Sequence, residues 1–420
     1  MSKKSTLVRG WLGRARLTAL SAGIAALALG LSGCGGGDTS ASGASSSGTP
    51  AAGECGSVPH IAPKDPQNVL AGMPPEVTAG YNGYPTEVLP SAWANWKPSH
   101  PGPYKVAILW QPVVSSFVTA TLDALTQELK ASGKVDIIAS VAPQNPTDIP
   151  GSLQLFNQLV AKKPDLIILM PLASEPFVDA VNAAGEAGIP VVTPWLPVPS
   201  KYAIGVSLNA FLQAASVSAK VADAMGGKGS VLEVHGIPGI QSDNEALAGF
   251  KATLDQCPGI KVAGEATGNF NAAATKGAVL QFLSTHPAKI DGVFQAGTMT
   301  PGVIQAFEQL GRPIPLVGDV GSTQGSIAYA HEHADEYNEF GSSTPDGSIG
   351  KTVATVVLRT LAGEGPAINM MVTEQKLIGD DQVDAVYQDG WKPSGQDDAW
   401  LPDDEWMTTD QLDAFFGTGK

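Results

Sequence analysis

Residues 166–195 read LIILMPLASEPFVDAVNAAGEAGIPVVTPW, and this stretch decides the fold class. Leu166–Met170 and Ile189–Thr193 are short apolar runs of the kind found in strands buried on both faces. Pro176–Ala187, which lies between them, has the length and apolar spacing of a helix. A strand, a helix and a second strand in this order typically form two parallel strands joined by a right-handed helical crossover. The stretch therefore predicts a parallel sheet in an α/β protein.

The same alternation of strands and helices starts at Tyr104 and continues past residue 310. The other predicted strands are Lys105–Trp110, Val135–Ala139, Ala203–Val206, Ser230–Val234, Ile260–Ala263, Gly292–Gln295 and Pro315–Gly318. The other predicted helices are Ser116–Ala131, Leu153–Lys162, Asn209–Met225, Asp243–Asp255, Ala272–Thr285 and Gly302–Leu310. Nine strands are many for one doubly wound sheet in this chain, so we predict two α/β lobes. The break between the lobes is predicted near 207–209.

Three motifs carry a resemblance to a known family: AGIPVV at 187–192, GGKG at 226–229 and HGIPG at 235–239. With the order of elements, they look like type I periplasmic binding proteins of the sugar-binding, ribose-binding-protein-like branch. The resemblance covers about 104–385 and implies two Rossmann-like lobes joined by three hinge strands, with the ligand in the cleft. The hinge strands are expected near Ser207, Gly341 and Met371.

The composition outside the lobes changes sharply and sets the predicted organisation. Residues 35–53 are rich in Gly, Ser and Ala and cannot build a core, whereas the stretch that follows is rich in Pro and irregular. The predicted parts are a lipoprotein signal peptide (1–33), a flexible tether (34–53), a Pro-rich extended arm (54–103), lobe one (104–207 plus 343–368), lobe two (208–342 plus 369–390) and an acidic C-terminal tail (391–420).

The N-terminus has the pattern of an export signal. Residues 3–16 contain basic side chains, residues 18–31 form an apolar run too short to span a bilayer comfortably, and Leu31-Ser32-Gly33-Cys34 follows. These four residues resemble a bacterial lipobox, which implies that Cys34 carries a lipid. A lipid with at least two acyl chains anchors a protein stably. We therefore predict an exported protein attached to the outer face of the cell membrane.

The other two cysteines, Cys55 in the arm and Cys257 at the end of a predicted helix, are a candidate disulfide pair. An exported protein meets an oxidising environment, in which an even number of thiols favours pairing. A bridge would fix the arm to lobe two. The alternative is two unpaired thiols, with Cys257 buried beneath the helix end.

Candidate ligand-binding residues lie directly after the predicted strands, because ligands of open α/β sheets bind beyond the carboxyl ends of the strands. Each of these side chains also has an ordinary interpretation as a helix cap, a turn residue or a packed aromatic ring. The candidates are Trp110, Gln111, Ser116, Phe117, Trp195, Asn209, Asn244, Phe270, Gln295 and Asp319.

The chain departs from the sugar-binding pattern that the resemblance implies. Where these relatives carry an Asp-Arg pair after strand four and an Arg after strand six, this chain has Trp195-Leu196 and Asn244. The family's Asn-Asp pair is replaced by Ala296-Gly297-Thr298, Ser115-Ser116 precedes Phe117, and only Asp319 retains an acid. Arg and carboxylate forks bind hydroxyl pairs and anions. Two ligand classes stay open: a pentose or hexose, or a less hydroxylated molecule with a flat or apolar face.

Composition and motif spacing argue against several other functions. The chain has 25 basic and 40 acidic residues, and a net charge of −15 disfavours nucleic-acid binding. Gly350-Lys351-Thr352 lacks the earlier glycine of a P-loop, and His331 and His333 are not spaced as zinc ligands on a helix. We predict no enzyme activity, no cofactor and no metal; a hydrolytic enzyme is a remote alternative. The predicted partners of this monomer are a small-molecule ligand and an ABC permease, or alternatively a membrane receptor.

Overall fold

The computed structural model describes residues 53–112, 115–145 and 147–417. This part of the chain folds into two α/β lobes, each built on a six-stranded sheet. The predicted signal peptide, nearly all of the predicted tether and the predicted lipidation site Cys34 lie outside the described residues. Among the helices that are described, none has the length and apolar character needed to cross a bilayer.

Mainly parallel strands and the helices between them make up both lobes. The strands are β1 (Tyr104–Leu109), β2 (Val135–Val141), β3 (Leu166–Leu169), β4 (Val191–Trp195), β5 (Ala203–Leu208), β6 (Lys228–His235), β7 (Gly259–Thr267), β8 (Gly292–Gln295), β9 (Leu316–Asp319), β10 (Glu339–Ser342), β11 (Met370–Thr373) and β12 (Leu377–Gly379). The helices are α1 (Pro75–Thr78), α2 (Ser116–Ala131), α3 (Ile149–Ala161), α4 (Val178–Glu186), α5 (Ala210–Ala224), α6 (Gln241–Gln256), α7 (Ala272–Thr285), α8 (Thr300–Gln309), α9 (Gln324–Glu332), α10 (Asp346–Leu361), α11 (Asp380–Val386) and α12 (Thr409–Phe416).

The sheet orders confirm the predicted fold class. The first sheet has the order β11-β5-β4-β3-β1-β2, and the second has the order β12-β10-β9-β8-β6-β7. All pairs are parallel except β10 with β12, at the edge of the second sheet. Helices cover both faces of each sheet, which is why strands such as β3 and β8 are buried along their whole length. All nine predicted strands overlap observed ones.

Chain crossings between the lobes occur after β5, after β10 and after β11, in the regions where hinges were expected. The helix α10 returns from the second sheet to the first lobe and packs closely on α2. A Cβ atom at Gly350 would lie 2.4 Å from the carbonyl oxygen of Thr121, so glycine permits this close helix contact. Both lobes are therefore built from separate stretches of the chain.

The predicted boundary of lobe two at residue 369 is wrong. Residues Met370–Thr373 pair in parallel with Gly205–Leu208 and so form the edge of the first sheet. The crossing to lobe two comes after Thr373, before β12 pairs with β10. A four-residue apolar strand matches an edge of either sheet, so its sequence alone does not assign it to one lobe.

The arm, residues 54–103, lies on the folded body and is irregular apart from α1 and a 3-10 helix at Ala79–Tyr81. Its side chains Tyr81, Tyr84, Val88 and Trp93 are buried in the core of lobe one. The Tyr81 hydroxyl donates a 2.5 Å hydrogen bond to the carbonyl of Met370 in β11. The arm thus covers the β11 edge of the first sheet.

The prediction that residues 391–420 form an acidic tail is wrong for the described part, which we name the C-terminal segment (391–417). Its residue Ala399 is buried in the core of lobe two, whereas α12 buries Leu412, Phe415 and Phe416 in the core of lobe one. These three residues recur at the i, i+3 and i+4 spacing of one helix face, and Gly417 ends the helix in a left-handed conformation. The segment thus spans both lobes.

A disulfide joins Cys55 of the arm to Cys257 at the end of α6, with 4.8 Å between their Cα atoms. It connects residues that are 202 positions apart. The rest of the arm packs on lobe one, so the bridge fastens one chain segment to both lobes. Cys257 itself is completely buried in the core of lobe two.

Candidate ligand-binding site

A cavity of about 350 Å³ lies between the two lobes at the carboxyl ends of their strands. Gln111, Ser116 and Phe117 line it from lobe one, in the loop after β1 and the first turn of α2. Phe270, in the loop after β7, lines it from lobe two. The volume falls in the range of sites for small organic ligands. Parallel strands bring these loops together, since their carboxyl ends share one edge of each sheet.

Aromatic rings form the lobe-one wall of the cavity. The rings of Phe117 and Trp195 are 4.5 Å apart between centroids, and both side chains are half-buried. Behind them, Trp406 of the C-terminal segment stacks on Trp195 with a centroid distance of 5.8 Å and an interplanar angle of 24°. Trp406 is itself buried, so the segment supports the wall from outside the cavity. The wall offers a flat apolar surface to a ligand.

Backbone strain is concentrated at this cavity. Seven non-glycine residues of the described chain have positive φ angles, and four of them, Trp195, Asn269, Phe270 and Thr298, line the cavity. A left-handed conformation is unfavourable for an aromatic residue, and such strain persists where the surroundings enforce it. The φ angle is +65° at Trp195 and +53° at Phe270, and both side chains line the cavity. Strain of this kind clusters at functional sites.

The loop that follows β6 shapes the lobe-two wall. Ile237 and Ile240, from the HGIPGI stretch at 235–240, line the cavity and add apolar surface to this wall. A Cβ atom on Gly236 would lie 1.9 Å from the ring of Phe270, so glycine is required for the ring to pack over this loop. The Asp243 carboxylate accepts a 2.7 Å hydrogen bond from the Gly236 backbone N–H and fixes the loop to α6.

The polar end of the cavity comes from the C-terminal segment, through Gln396, Asp397 and Asp398. Asp398 is only 3% exposed, and its Oδ2 atom has no hydrogen-bond partner in the described structure. Burial, together with the nearby carboxyl groups of Asp346, Asp397 and Asp319, raises the pKa of Asp398 to about 8. The lining residues include no lysine and no arginine.

Five of the ten predicted ligand-binding residues line the cavity: Gln111, Ser116, Phe117, Trp195 and Phe270. The other five, Trp110, Asn209, Asn244, Gln295 and Asp319, do not line it, and each has a structural reason for its different place. Trp110 points into the core of lobe one, where its Nε1 donates to the carbonyl of Val118 at 3.1 Å. The side chain that follows it, Gln111, points to the cavity instead.

Asn209 and Asn244 are placed by their helices. The Asn209 side chain caps α5 by accepting from the Leu212 N–H at 3.0 Å, and it donates to the arm carbonyls of Gly80 and Asn82. Asn244 is exposed, since α6 directs Ser242 and Ala246 to the cavity. A residue two positions after Ser242 is turned by about 200° around the helix axis, which places Asn244 on the opposite face.

Gln295 and Asp319 lie beneath the cavity and organise its loops. Asp319 is fully buried, and its Oδ1 atom accepts hydrogen bonds of 2.7 Å from Gln295 Nε2 and from the Thr300 hydroxyl. Gln295 Oε1 in turn accepts from the backbone N–H of Gly297 at 2.6 Å. This network fixes the 296–298 loop that does line the cavity. Gln295 and Asp319 therefore hold this loop in position and do not themselves line the cavity.

The sequence analysis missed the contributions of Gln213 in α5, of the two isoleucines after β6, and of the C-terminal segment. The isoleucines lie within the HGIPG region that carried the family resemblance, so their place after a strand was a usable signal. Gln396–Asp398 follow no strand of either lobe, and nothing in their local sequence indicates a place at the cleft. Only the path of the folded chain brings them there.

The buried carboxyl group of Asp398 predicts a pH-dependent stability of the ligand-free protein. A group whose pKa is higher in the folded than in the unfolded state binds more protons when folded, so the free energy of unfolding decreases as the pH rises. For Asp398 the window runs from its ordinary pKa of 3.8 to about 8. Glu245 and Asp319 have pKa values raised by burial to about 7 and about 6, and act in the same direction.

We therefore expect the melting temperature to fall by several degrees between pH 5 and pH 8, since each unit of pKa shift contributes about 1.4 kcal/mol. Asp398→Asn, which cannot ionise, is expected to flatten this dependence and to be more stable than the parent at pH 8. Glu405→Gln, at an exposed position of the same segment, is the matched control and should leave the slope unchanged. Differential scanning calorimetry across this pH range measures both effects. If the melting temperature of Asp398→Asn falls with pH as steeply as that of the parent, the pH dependence does not come from Asp398.

Comparisons with known proteins agree with this architecture. A family model of the periplasmic binding protein domain matches residues 106–365. The chain therefore belongs to the periplasmic binding protein family, and the predicted resemblance to the type I, ribose-binding-protein-like branch is confirmed. The match excludes the arm and the C-terminal segment.

The chain is similar in sequence and in fold to several proteins that bind solutes. The xylitol-binding protein of Mycolicibacterium smegmatis is 26% identical over 50% of this chain and 60% of its own length. The ribose import binding protein of Bacillus subtilis is 27% identical over 54% of this chain and 74% of its own length. An ABC transporter solute-binding protein from Bacillus halodurans with bound myo-inositol has a TM-score of 0.60 at 19% identity, covering 68% of this chain and 98% of that structure. The structural similarity to this protein shows that the two chains share a fold.

Proposed function

We propose that this protein is the solute-binding component of an ABC importer and captures a small molecule in the cleft between its lobes. The observation that carries the proposal is the cavity of about 350 Å³, which is lined by loops from both lobes at the carboxyl ends of their strands. Membership of the periplasmic binding protein family supports the same role. The N-terminal lipobox-like sequence supports a lipid anchor on Cys34 at the outer face of the cell membrane.

The mechanism that we infer is closure of the lobes over the ligand. The chain crosses between the lobes after β5, β10 and β11, and these crossings act as hinges. A ligand that contacts Trp195 on one lobe and Phe270 on the other binds the closed form better than the open form. It thereby shifts the equilibrium towards the closed form. A permease would then recognise the closed form; presentation to a membrane receptor is the alternative, and requires the same closure.

The relatives named above bind xylitol and ribose, and a solved structure holds myo-inositol, so sugars and polyols are one candidate class for this chain. The lining residues favour a less hydroxylated ligand. No arginine is among the described lining residues, and aromatic and isoleucine side chains give both walls apolar surface beside their polar side chains. Bidentate contacts from Arg, which orient a polar ligand through two hydrogen bonds at once, are not available on these walls.

A thermal-shift screen with xylitol, ribose, myo-inositol and a set of less hydroxylated cyclic compounds tests the proposal, because a ligand of the native state raises the melting temperature. Small-angle scattering with the strongest binder should then show a smaller radius of gyration than without it. An unchanged radius at saturation would count against closure. The intact mass of membrane-extracted protein tests whether Cys34 is lipidated.

Trp195→Ala is expected to weaken binding of the strongest ligand from that screen by about 30-fold or more. Removing a central aromatic side chain commonly costs about 2 kcal/mol of binding, and 1.4 kcal/mol corresponds to a factor of ten. Isothermal titration measures the affinity. Trp400→Ala is the control, since Trp400 belongs to the C-terminal segment, is 40% exposed and does not line the cavity. Equal affinities of Trp195→Ala and the parent would show that this wall does not contact the ligand.

A further inference from the structure

The C-terminal segment reaches the cleft in a conformation held by backbone hydrogen bonds. Gln324 N–H donates to the carbonyl of Asp397 at 2.8 Å, and Ala399 N–H donates to the carbonyl of Ser322 at 2.8 Å. Between these bonds, Asp398 forms an antiparallel bridge with Thr323. The position of Asp398 at the cleft is therefore set by lobe two. It lies outside residues 106–365, which match the family.

Asp398 has a buried polar atom that the described structure leaves unsatisfied. The residue is 3% exposed and lines the cavity, and its Oδ2 atom accepts no hydrogen bond. Nearly all buried polar groups in proteins have a partner, since a missing hydrogen bond leaves an uncompensated desolvation cost. Because the Asp398 side chain lines the cavity and has no hydrogen-bond partner in the described structure, a bound molecule that carries a donor can supply one to its carboxyl group.

The charges around Asp398 are all negative. Asp397 precedes it in the segment, Asp346 begins α10, and Asp319 ends β9, and all three carboxyl groups interact with it electrostatically. Lys376 forms an ion pair with Asp404 at 2.6 Å and does not line the cavity. Opposite charges at short range attract strongly where water is excluded, so this end of the cavity favours a cation and disfavours an anion.

The remaining walls restrict the rest of the ligand. Phe117, Trp195 and Phe270 present aromatic surfaces, and Ile237 and Ile240 add aliphatic ones. An apolar or aromatic body gains free energy by burial against these walls. A polyol distributes hydroxyl groups over its whole surface, and each hydroxyl that faces one of these apolar side chains without a partner carries a desolvation cost.

We propose that the cleft selects a small organic cation, whose protonated amine binds between Asp397 and Asp398 and whose apolar body packs against Phe117, Trp195 and Phe270. This assignment of the ligand class rests on the proposed solute-binding function and makes it more specific. It also gives the C-terminal segment a role in ligand selection that the family domain alone does not contain.

A proton-linked binding reaction follows from the surroundings of Asp398. Burial raises its pKa to about 8, so the ligand-free protein holds a proton on this carboxyl at pH 7. A bound ammonium group favours the ionised carboxylate, and the displaced proton leaves to solvent. Binding of an amine is therefore accompanied by proton release at pH 7, and its affinity rises between pH 6 and pH 8. A neutral alcohol of the same shape has neither property.

Two matched pairs of probes test the proposal by isothermal titration on the full mature protein: 2-phenylethylamine with 2-phenylethanol, and tryptamine with tryptophol. We expect at least one amine to bind about tenfold or more tightly than its alcohol, because hydrogen bonds to charged groups are the stronger ones. Titrations in phosphate and in Tris, which differ in ionisation enthalpy, should show release of a proton with the amine only.

Variants assign the effect to the acidic residues. Asp398→Asn should bring the affinity for the amine close to that for the alcohol and abolish proton release. Asp397→Asn, at an exposed position, provides a second variant if Asp398→Asn folds poorly, and should weaken amine binding while leaving alcohol binding unchanged. Glu405→Gln removes one charge from the same segment away from the cavity and should behave like the parent.

The outcomes separate this inference from the proposed function. If xylitol, ribose or myo-inositol binds with compaction of the protein and no amine binds, the inference is overturned and the solute-binding function stands. Amine binding that is unaffected by both aspartate substitutions also overturns it. If no compound of any class raises the melting temperature or compacts the protein, both the inference and the proposed function fail.

Discussion

Phe415→Ala is expected to lower the free energy of unfolding by about 3–5 kcal/mol, the usual cost of deleting a buried phenylalanine side chain. Phe415 is 1% exposed and lies in the core of lobe one with Leu412 and Phe416. Its carbonyl accepts a 2.8 Å hydrogen bond from the N–H of Ala367, and the Arg359 guanidinium lies 4.2 Å from the ring centroid of Phe416. The substitution leaves a cavity that this anchored helix cannot readily close.

Urea unfolding followed by circular dichroism measures the loss. Thr409→Ala is the matched control, because it lies in the same helix with its side chain exposed, and should change stability by less than about 0.5 kcal/mol. Phe415→Leu should fall between the two, since it keeps most of the buried volume. A loss below about 1 kcal/mol in Phe415→Ala would contradict the place of α12 in the core of lobe one.

Removal of the disulfide by Cys55→Ala with Cys257→Ala is expected to cost about 2–5 kcal/mol of stability. The bridge closes a loop between residues that are 202 positions apart, and constraining so long a loop in the unfolded chain has a chain-entropy ceiling of about 5 kcal/mol. Alanine is preferred to serine at Cys257, because this residue is fully buried and a hydroxyl group there would add an unsatisfied donor.

Three measurements test the contribution of the bridge. Reduction of the parent protein by a thiol should reproduce most of the loss in melting temperature. Cys257→Ala alone should match the double variant, since either substitution opens the bridge. Limited proteolysis should cut near residue 55 faster once the bridge is removed, because the first residues of the arm then lose their covalent link to lobe two. Equal stabilities of the oxidised and reduced protein would contradict the expected contribution.

The sequence determined the two-lobe α/β architecture, because that information is local. Runs such as Leu166–Met170 and Gly292–Phe294 are apolar throughout, and the segments between the predicted strands have the period of helices. Ligands of open α/β sheets bind beyond the carboxyl ends of the strands, which parallel strands bring to one edge of the sheet. This rule correctly placed five residues at the cleft: Gln111, Ser116, Phe117, Trp195 and Phe270. It did not resolve the direction of each side chain, so Trp110 points into the core and Asn244 away from the cavity.

Only the tertiary structure decided the path of the chain outside the regular alternation. Met370–Thr373 pairs with the first sheet, and the C-terminal segment runs from the cleft to the core of lobe one. It also decided that Asp398 lines the cavity and that Trp406 supports Trp195. These contacts join residues that are far apart in the chain. Local periodicity holds no information about such pairings. They depend on which apolar surfaces remain exposed once the two lobes have folded, because the arm and the C-terminal segment cover those surfaces.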